Sequence, residues 1–349
     1  MSYERGWQAL NLQMPDRIPH TEYVSNPEWV KRLTGLDPRN SDEAAEANLA
    51  LIREWDFDVR WFTMAPPGQP RMTHMGTAVW SEDYEVVDNR ECPFAGPEDV
   101  LDFDPVAEIG VPPHEELVEH YSRTWRAAQD QTPTCVVPGG FYNTVFTWCI
   151  LTFGWDLFLT AAALDEDRFD RVLEGFFELS MATFRAQAQC GCEVFICHDD
   201  IVWTEGAVFR PQWYREHVFP RYRKLWQPLK DAGIIILFCS DGDFTEFIED
   251  LADCGADGFI FEPLTDLEYV VERYGQEKVI IGNVDCRVLM TGSEEDIRAE
   301  VERCASLGRD CPGYFFAVGN HIPYNVPVQS IAVYAEAIRE LGRRNERGG

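Results

Sequence analysis

The sequence predicts an α/β chain folded as a (β/α)8 TIM barrel with an N-terminal extension. Three observations carry that reading. Between Cys135 and Leu341, apolar β-branched runs alternate with amphipathic helical patterns, which implies a parallel sheet. Each run ends in a polar cluster, as barrel strands do where they deliver side chains to the C-terminal mouth. No Gly-x-Gly-x-x-Gly fingerprint accompanies them, which disfavours an open dinucleotide-binding sheet.

Residues 1 to about 130 are richer in Pro, Trp and charge. They read as an extension plus the first strand or strands, covering a single barrel domain that spans residues 1–349. Ser41 to Trp55 predicts a helix, with Ser41 as its cap and acids in its first turn. Phe57-Asp-Val-Arg-Trp-Phe62 predicts a barrel strand, Met75 to Val87 a hairpin or lid strand, and Glu115 to Gln129 a helix. Cys135-Val-Val-Pro-Gly-Gly140 opens the regular part. Val145 to Leu164 is almost wholly apolar, with Asp156 its single charge. Gly154 interrupts it and basic flanks are missing, so a buried helix pair or a partner-covered surface fits better than a membrane span.

Five strand-then-helix units follow. Glu193-Val-Phe-Ile-Cys-His-Asp-Asp200 precedes a helix at Gln212 to Lys230, and Ile234-Ile-Ile-Leu-Phe-Cys-Ser-Asp-Gly-Asp-Phe244 one that presents Phe247, Ile248 and Leu251. Asp257-Gly-Phe-Ile-Phe-Glu-Pro263 precedes Asp266 to Tyr274. Lys278-Val-Ile-Ile-Gly-Asn-Val-Asp285 precedes Glu294 to Leu307, and Gly313-Tyr-Phe-Phe-Ala-Val-Gly-Asn-His321 precedes Gln329 to Leu341. Arg343 to Gly349 reads as a frayed tail.

The composition, 45% apolar and 26% charged, suits a globular protein with a real core. The net charge of -30 argues against nucleic acid and anionic membrane surfaces, which would repel the chain. The 11 cysteines have no repeated spacing and the start resembles no signal peptide, so free thiols in the cytoplasm are expected. Cys190-Gly-Cys192 lacks the second pair a metal knuckle needs.

Leu237-Phe-Cys-Ser-Asp-Gly242, Gly282-Asn-Val-Asp285 and Gly319-Asn-His-Ile-Pro-Tyr-Asn-Val-Pro327 resemble the C-terminal half of the uroporphyrinogen decarboxylase superfamily. Arg17-Ile-Pro-His-Thr-Glu22 is similar to the opening of its corrinoid-dependent methyltransferase members. The resemblance implies a barrel with its site at the C-terminal mouth. The decarboxylase proper has an arginine-rich N-terminal run for porphyrin carboxylates, whereas no arginine lies between Arg17 and Arg32 here. The implied activity is transfer of a methyl group from a small methoxylated compound, such as an aryl methyl ether, or another methylated compound to a corrinoid protein. Transfer from methylcorrinoid to a thiol or folate, porphyrinogen decarboxylation, and a catalytically silent barrel serving as a binding subunit are the alternatives. No Asp-x-His-x-x-Gly corrinoid signature occurs, so the cobalamin would arrive on a partner. A homodimer is a further expectation.

Zinc members of that superfamily have His-x-Cys where this chain has Cys239-Ser-Asp241, with another Cys near Asn320 or His321. The resemblance therefore implies zinc on Cys239, Asp241, Glu262 and His321, a harder set suited to polarising an ether oxygen. The plain reading of the same residues is a buried thiol, a helix cap and a loop histidine. His198, Asp199, His321 and His20 are the candidate acid–base residues. Trp61, Phe141, Tyr142, Trp148 and Trp203, with Asn283 and Asp285, are the candidate substrate wall.

Overall fold

The computed structural model describes residues 2–66, 79–80, 86–87 and 92–344. Six strands form one parallel sheet in sequential order: β1 (Gly139–Phe141), β2 (Val194–His198), β3 (Ile235–Cys239), β4 (Gly258–Ile260), β5 (Val279–Ile281) and β6 (Tyr314–Phe315). Two N-terminal segments close it. His20 bridges Phe316 in parallel, and the Asp58 N–H donates to the His20 carbonyl (2.9 Å). Val59 in turn bridges Val136, which brings the ring back to β1. The result is a (β/α)8 barrel with eight staves, two of which pair too briefly to count as regular strands.

The pleat sorts the side chains between two cores. Val59, Val136, Val194, Ile196, Leu237, Cys239, Ile260, Val279, Ile281, Phe315 and Ala317 face inward and fill the lumen. The residues between them face outward into the larger core shared with the helices, among them Phe195, Cys197, Phe238, Phe259 and Phe316. The helix Ser2–Leu10 plugs the N-terminal end of the barrel, placing Ala9 and Leu10 in the lumen cluster. Among the described residues the opposite end is left open.

Most expected helices are present, at His114–Gln131, Phe219–Asp231, Leu267–Tyr274, Glu294–Gly308 and Val328–Leu341. The helix expected from Ser41 begins later, at Ala44–Glu54, and Ser41 does not cap it. Residues 41–43 form a turn instead, in which the Glu43 carboxylate accepts from the Asp37 N–H (2.8 Å). The apolar stretch is a helix pair, Phe146–Phe153 and Trp155–Leu164, bent by 114° at Gly154. Among the described residues no single helix is long and apolar enough to cross a membrane. Val79–Trp80 pairs antiparallel with Val86–Val87, as a hairpin requires, while the rest of residues 75–87 lies outside the described residues. Arg343 and Arg344 are not frayed: Arg343 bridges Arg17, and the Arg344 guanidinium donates to the Cys311 carbonyl (2.6 Å). Residues 345–349 lie outside the described residues.

Candidate active site

The mouth is built where β2, β3 and β4 end. Counting by two along the lumen face of β2 leads from Ile196 through His198 to Asp200. The same count on β3 leads from Cys239 to Asp241, and on β4 from Ile260 to Glu262. Backbone hydrogen bonds lace the three loops together. The Asp241 N–H donates to Asp200 Oδ1 (2.9 Å), and the Gly242 N–H donates to Glu262 Oε1 (2.9 Å). Gly242 has φ +81, and a Cβ there would lie 2.5 Å from the Trp203 carbonyl oxygen. Only glycine permits this turn.

His198 is 4% exposed, and its orientation is fixed on two sides. Its Nδ1 donates to the Tyr142 carbonyl (3.0 Å) and its Nε2 lies 3.4 Å from Asp200 Oδ1. The Tyr142 ring stacks flat on the imidazole, with centroids 3.8 Å apart. β1 explains the placement: Phe141 is in register with Cys197 on the outer face, so Tyr142 falls beside His198 on the inner one. Together with Thr147, Ile150, Leu151, Trp155, Val202, Trp203 and Thr204, the residues Tyr142, Asp200, Asp241, Gly242 and Glu262 line a cavity of about 660 Å³. Trp155 and Trp203 stand edge to face, 5.1 Å apart and 88° to one another.

Burial pushes the Asp241 carboxyl up to about 7; nearby Asp200 and Glu262 add to the rise, and His198 opposes it. Near neutral pH this group can hold or release a proton. The Cys239 thiol lies one layer deeper and is 2% exposed. Its pKa is raised well above the ordinary value by burial and then by Asp241 and Asp200, so it remains a thiol.

The expected zinc set does not assemble. Among the described residues, the group of three whose ligand atoms lie within 4.8 Å of one another is Glu166, Glu216 and His217, on the outer helices. The ligand atoms of Cys239, Asp241, Glu262 and His321 do not gather in this way, so these residues do not fit a preformed zinc site. His321 sits across the mouth, with its Nδ1 donating to Asn320 Oδ1 (2.7 Å) and its ring 6.0 Å from Tyr23. Burial lowers its pKa, and Glu262 partly offsets this.

Several expected residues are turned away from the mouth. Asp199 faces outward, where its carboxylate accepts from the N–H groups of Val145, Phe146 and Thr147 and from the Tyr222 hydroxyl. It caps the helix Phe146–Phe153 and has no capacity left for substrate. His20, paired with outward Phe316, is enclosed by Trp55, Phe57 and Tyr334. Phe141 and Trp148 are core: the two rings lie 6.2 Å apart, and Trp148 stacks on Phe176. Asn283 is held by the Thr265 carbonyl and by Arg303, and Asp285 caps Cys286–Thr291 and pairs with Arg287. Trp61 remains at the rim, stacked on Tyr23. Asp200, Thr147, Trp155 and Tyr23 complete the mouth without having been singled out in the sequence. Asp200 could have been found by counting two residues on from His198.

An open barrel mouth with a buried histidine, three carboxylates and an aromatic wall defines a (β/α)8 enzyme of the kind that works at its strand ends. More particularly, the chain belongs to the uroporphyrinogen decarboxylase (URO-D) family, whose model matches residues 38–341. Uroporphyrinogen decarboxylase of Coxiella burnetii is 26% identical over 217 residues, 60% of this chain and 59% of that protein. The enzyme of the same name from Thermus thermophilus is 28% identical over 233 residues, 65% of this chain and 66% of its own length. This chain therefore spans about three fifths to two thirds of the relatives it matches. A methyltransferase from Methanosarcina mazei superposes with a TM-score of 0.67 at 16% identity, covering 97% of this chain and 98% of its own. A B12-independent methionine synthase from Shewanella superposes with a TM-score of 0.50 at 9% identity, covering 93% and 98%. Both likenesses are of fold.

Proposed function

We propose that the chain is a methyltransferase that takes a methyl group from a small methylated compound to a corrinoid carried on a partner protein. The observation that carries this reading is the charge of the mouth: among the described residues three carboxylates and three aromatic rings line it, with no arginine or lysine. Porphyrinogen carboxylates would enter such a pocket against both its local charge and the chain's net -30. The name of the curated relatives supports decarboxylation, and this charge opposes it. A bound reduced corrinoid would supply the nucleophile for the methyl carbon.

The chain's own residues bind and orient the donor and manage protons. Tyr142, Trp155 and Trp203 flank the donor, and His198, stacked behind Tyr142, holds that ring in place. A methoxylated donor leaves as an oxygen anion and needs a proton. Asp241, held near 7, would give its proton to that oxygen. His198, when protonated at both nitrogens, would restore it from Nε2, which faces Asp200.

The test is methylation of free cob(I)alamin by the purified chain, followed by absorbance, with methoxybenzenes and methylated amines as donors. Transfer from any of them that is lost in Asp241→Asn supports the reading. Carbon dioxide release from a porphyrinogen, without methyl transfer, would overturn it.

A further inference from the structure

Among the described residues the mouth is short of positive charge. Asp200, Asp241 and Glu262 line one cavity, and among the described residues the basic group ion-paired to any of them is His198, 3.4 Å from Asp200. Two other acids in this chain have guanidinium partners, Asp58 with Arg5 at 2.7 Å and Asp170 with Arg221 at 2.9 Å, while buried Asp199 is satisfied by three backbone N–H groups and the Tyr222 hydroxyl. Like charges crowded out of water are relieved by a proton or by a cation. A compact metal ion needs ligand atoms that converge, and these do not. Their carboxylates are spread around some 660 Å³, room for a large cation with diffuse charge.

The walls complement such a cation. Trp155 and Trp203 meet at 88° and make a corner, and Tyr142, 47% exposed, presents the ring face that is not stacked on His198. Aromatic faces attract cations that cannot be held by hydrogen bonds, and quaternary ammonium groups are the usual beneficiaries. Cys239, a buried lumen thiol, packs beneath the carboxylates and closes the floor of the barrel under them.

We infer that the mouth binds a quaternary methylammonium compound, seated between Tyr142, Trp155 and Trp203 with Asp200, Asp241 and Glu262 as its counter-charge. This deepens the methyltransferase reading by naming the donor, and rests on that reading only for the transfer step. In that step a methyl carbon–nitrogen bond breaks, its electron pair stays on nitrogen, and a neutral tertiary amine leaves. A reduced corrinoid on the partner would supply the electron pair that takes the methyl carbon. No proton is required.

Tryptophan fluorescence titration of the full chain with choline and tetramethylammonium tests the binding claim. The control is the carbon isostere of choline, in which a quaternary carbon replaces the nitrogen. Choline should bind at least about tenfold more tightly than its isostere, a gap worth one charged contact. Asp200→Asn and Asp241→Asn should each close most of that gap. Trp203→Ala, at a rim position 54% exposed, should weaken choline and leave the melting temperature unchanged. Equal binding of choline and isostere, or binding of neither, overturns the inference. If choline binds in this way but no methyl reaches cob(I)alamin, the cation site stands and the methyltransferase reading fails.

Discussion

The Tyr142 ring lies on the His198 imidazole with planes only 12° apart, while the Tyr142 carbonyl accepts from His198 Nδ1 (3.0 Å). One residue thus fixes both the tilt of the histidine and the nitrogen that carries its proton, leaving Nε2 toward Asp200. Tyr142→Phe keeps the stack and the backbone bond, and should retain nearly full turnover. Tyr142→Ala should lose about tenfold or more, because about 0.5–1.5 kcal/mol of stacking goes and the imidazole gains freedom. Steady-state rates of the two variants check this, with melting temperatures expected to stay close to wild type.

Asp199 and Asp200 are adjacent in sequence and opposite in role. Asp199→Ala strips acceptors from three backbone N–H groups and the Tyr222 hydroxyl, all buried. Urea denaturation should show a loss of roughly 3–5 kcal/mol, the scale of breaking a buried charged network. Asp200→Ala should cost far less stability and more activity.

The Asp241 carboxyl, raised from its ordinary value near 3.8 to about 7, makes stability depend on pH. Between these values the folded chain holds a proton that the unfolded chain has released. Stability therefore falls as pH rises from about 4 to 7, then levels off. Asp58, also pushed up to about 7 by burial, acts with the same sign. Asp241→Asn should flatten part of the decline, measured as the difference from wild type in urea midpoints across that range. An identical slope would show that Asp241 titrates normally.

Because the Cys239 and Asp241 ligand set does not converge, dialysis against a chelator should leave methyl transfer unchanged. Cys239→Ser should likewise keep activity within a few-fold, since the buried thiol serves packing more than ligation. Metal analysis beside activity before and after dialysis checks both statements.

The barrel was legible because its strands are apolar runs with polar ends, a pattern set by burial on both faces. Its two N-terminal staves were harder to read, since they pair through single bridges at His20 and Val59. At the site, residue type was legible and direction was not. His198, Asp241 and Glu262 are separated from Asp199, His20 and Phe141 by pleat parity, which shows only once the register of β1, β2 and β3 is known. Asn283 escapes even parity: it stands two residues beyond inward Ile281, yet turns to the Thr265 carbonyl.

Methylation of free cob(I)alamin by wild type, Asp241→Asn and Trp203→Ala decides whether this mouth transfers methyl groups. With a quaternary methylammonium donor, wild type should transfer the methyl group and both variants should lose about tenfold or more, all three remaining folded. Transfer at equal rates in all three, or no transfer from any methylated donor beside active porphyrinogen decarboxylation, would contradict this expectation.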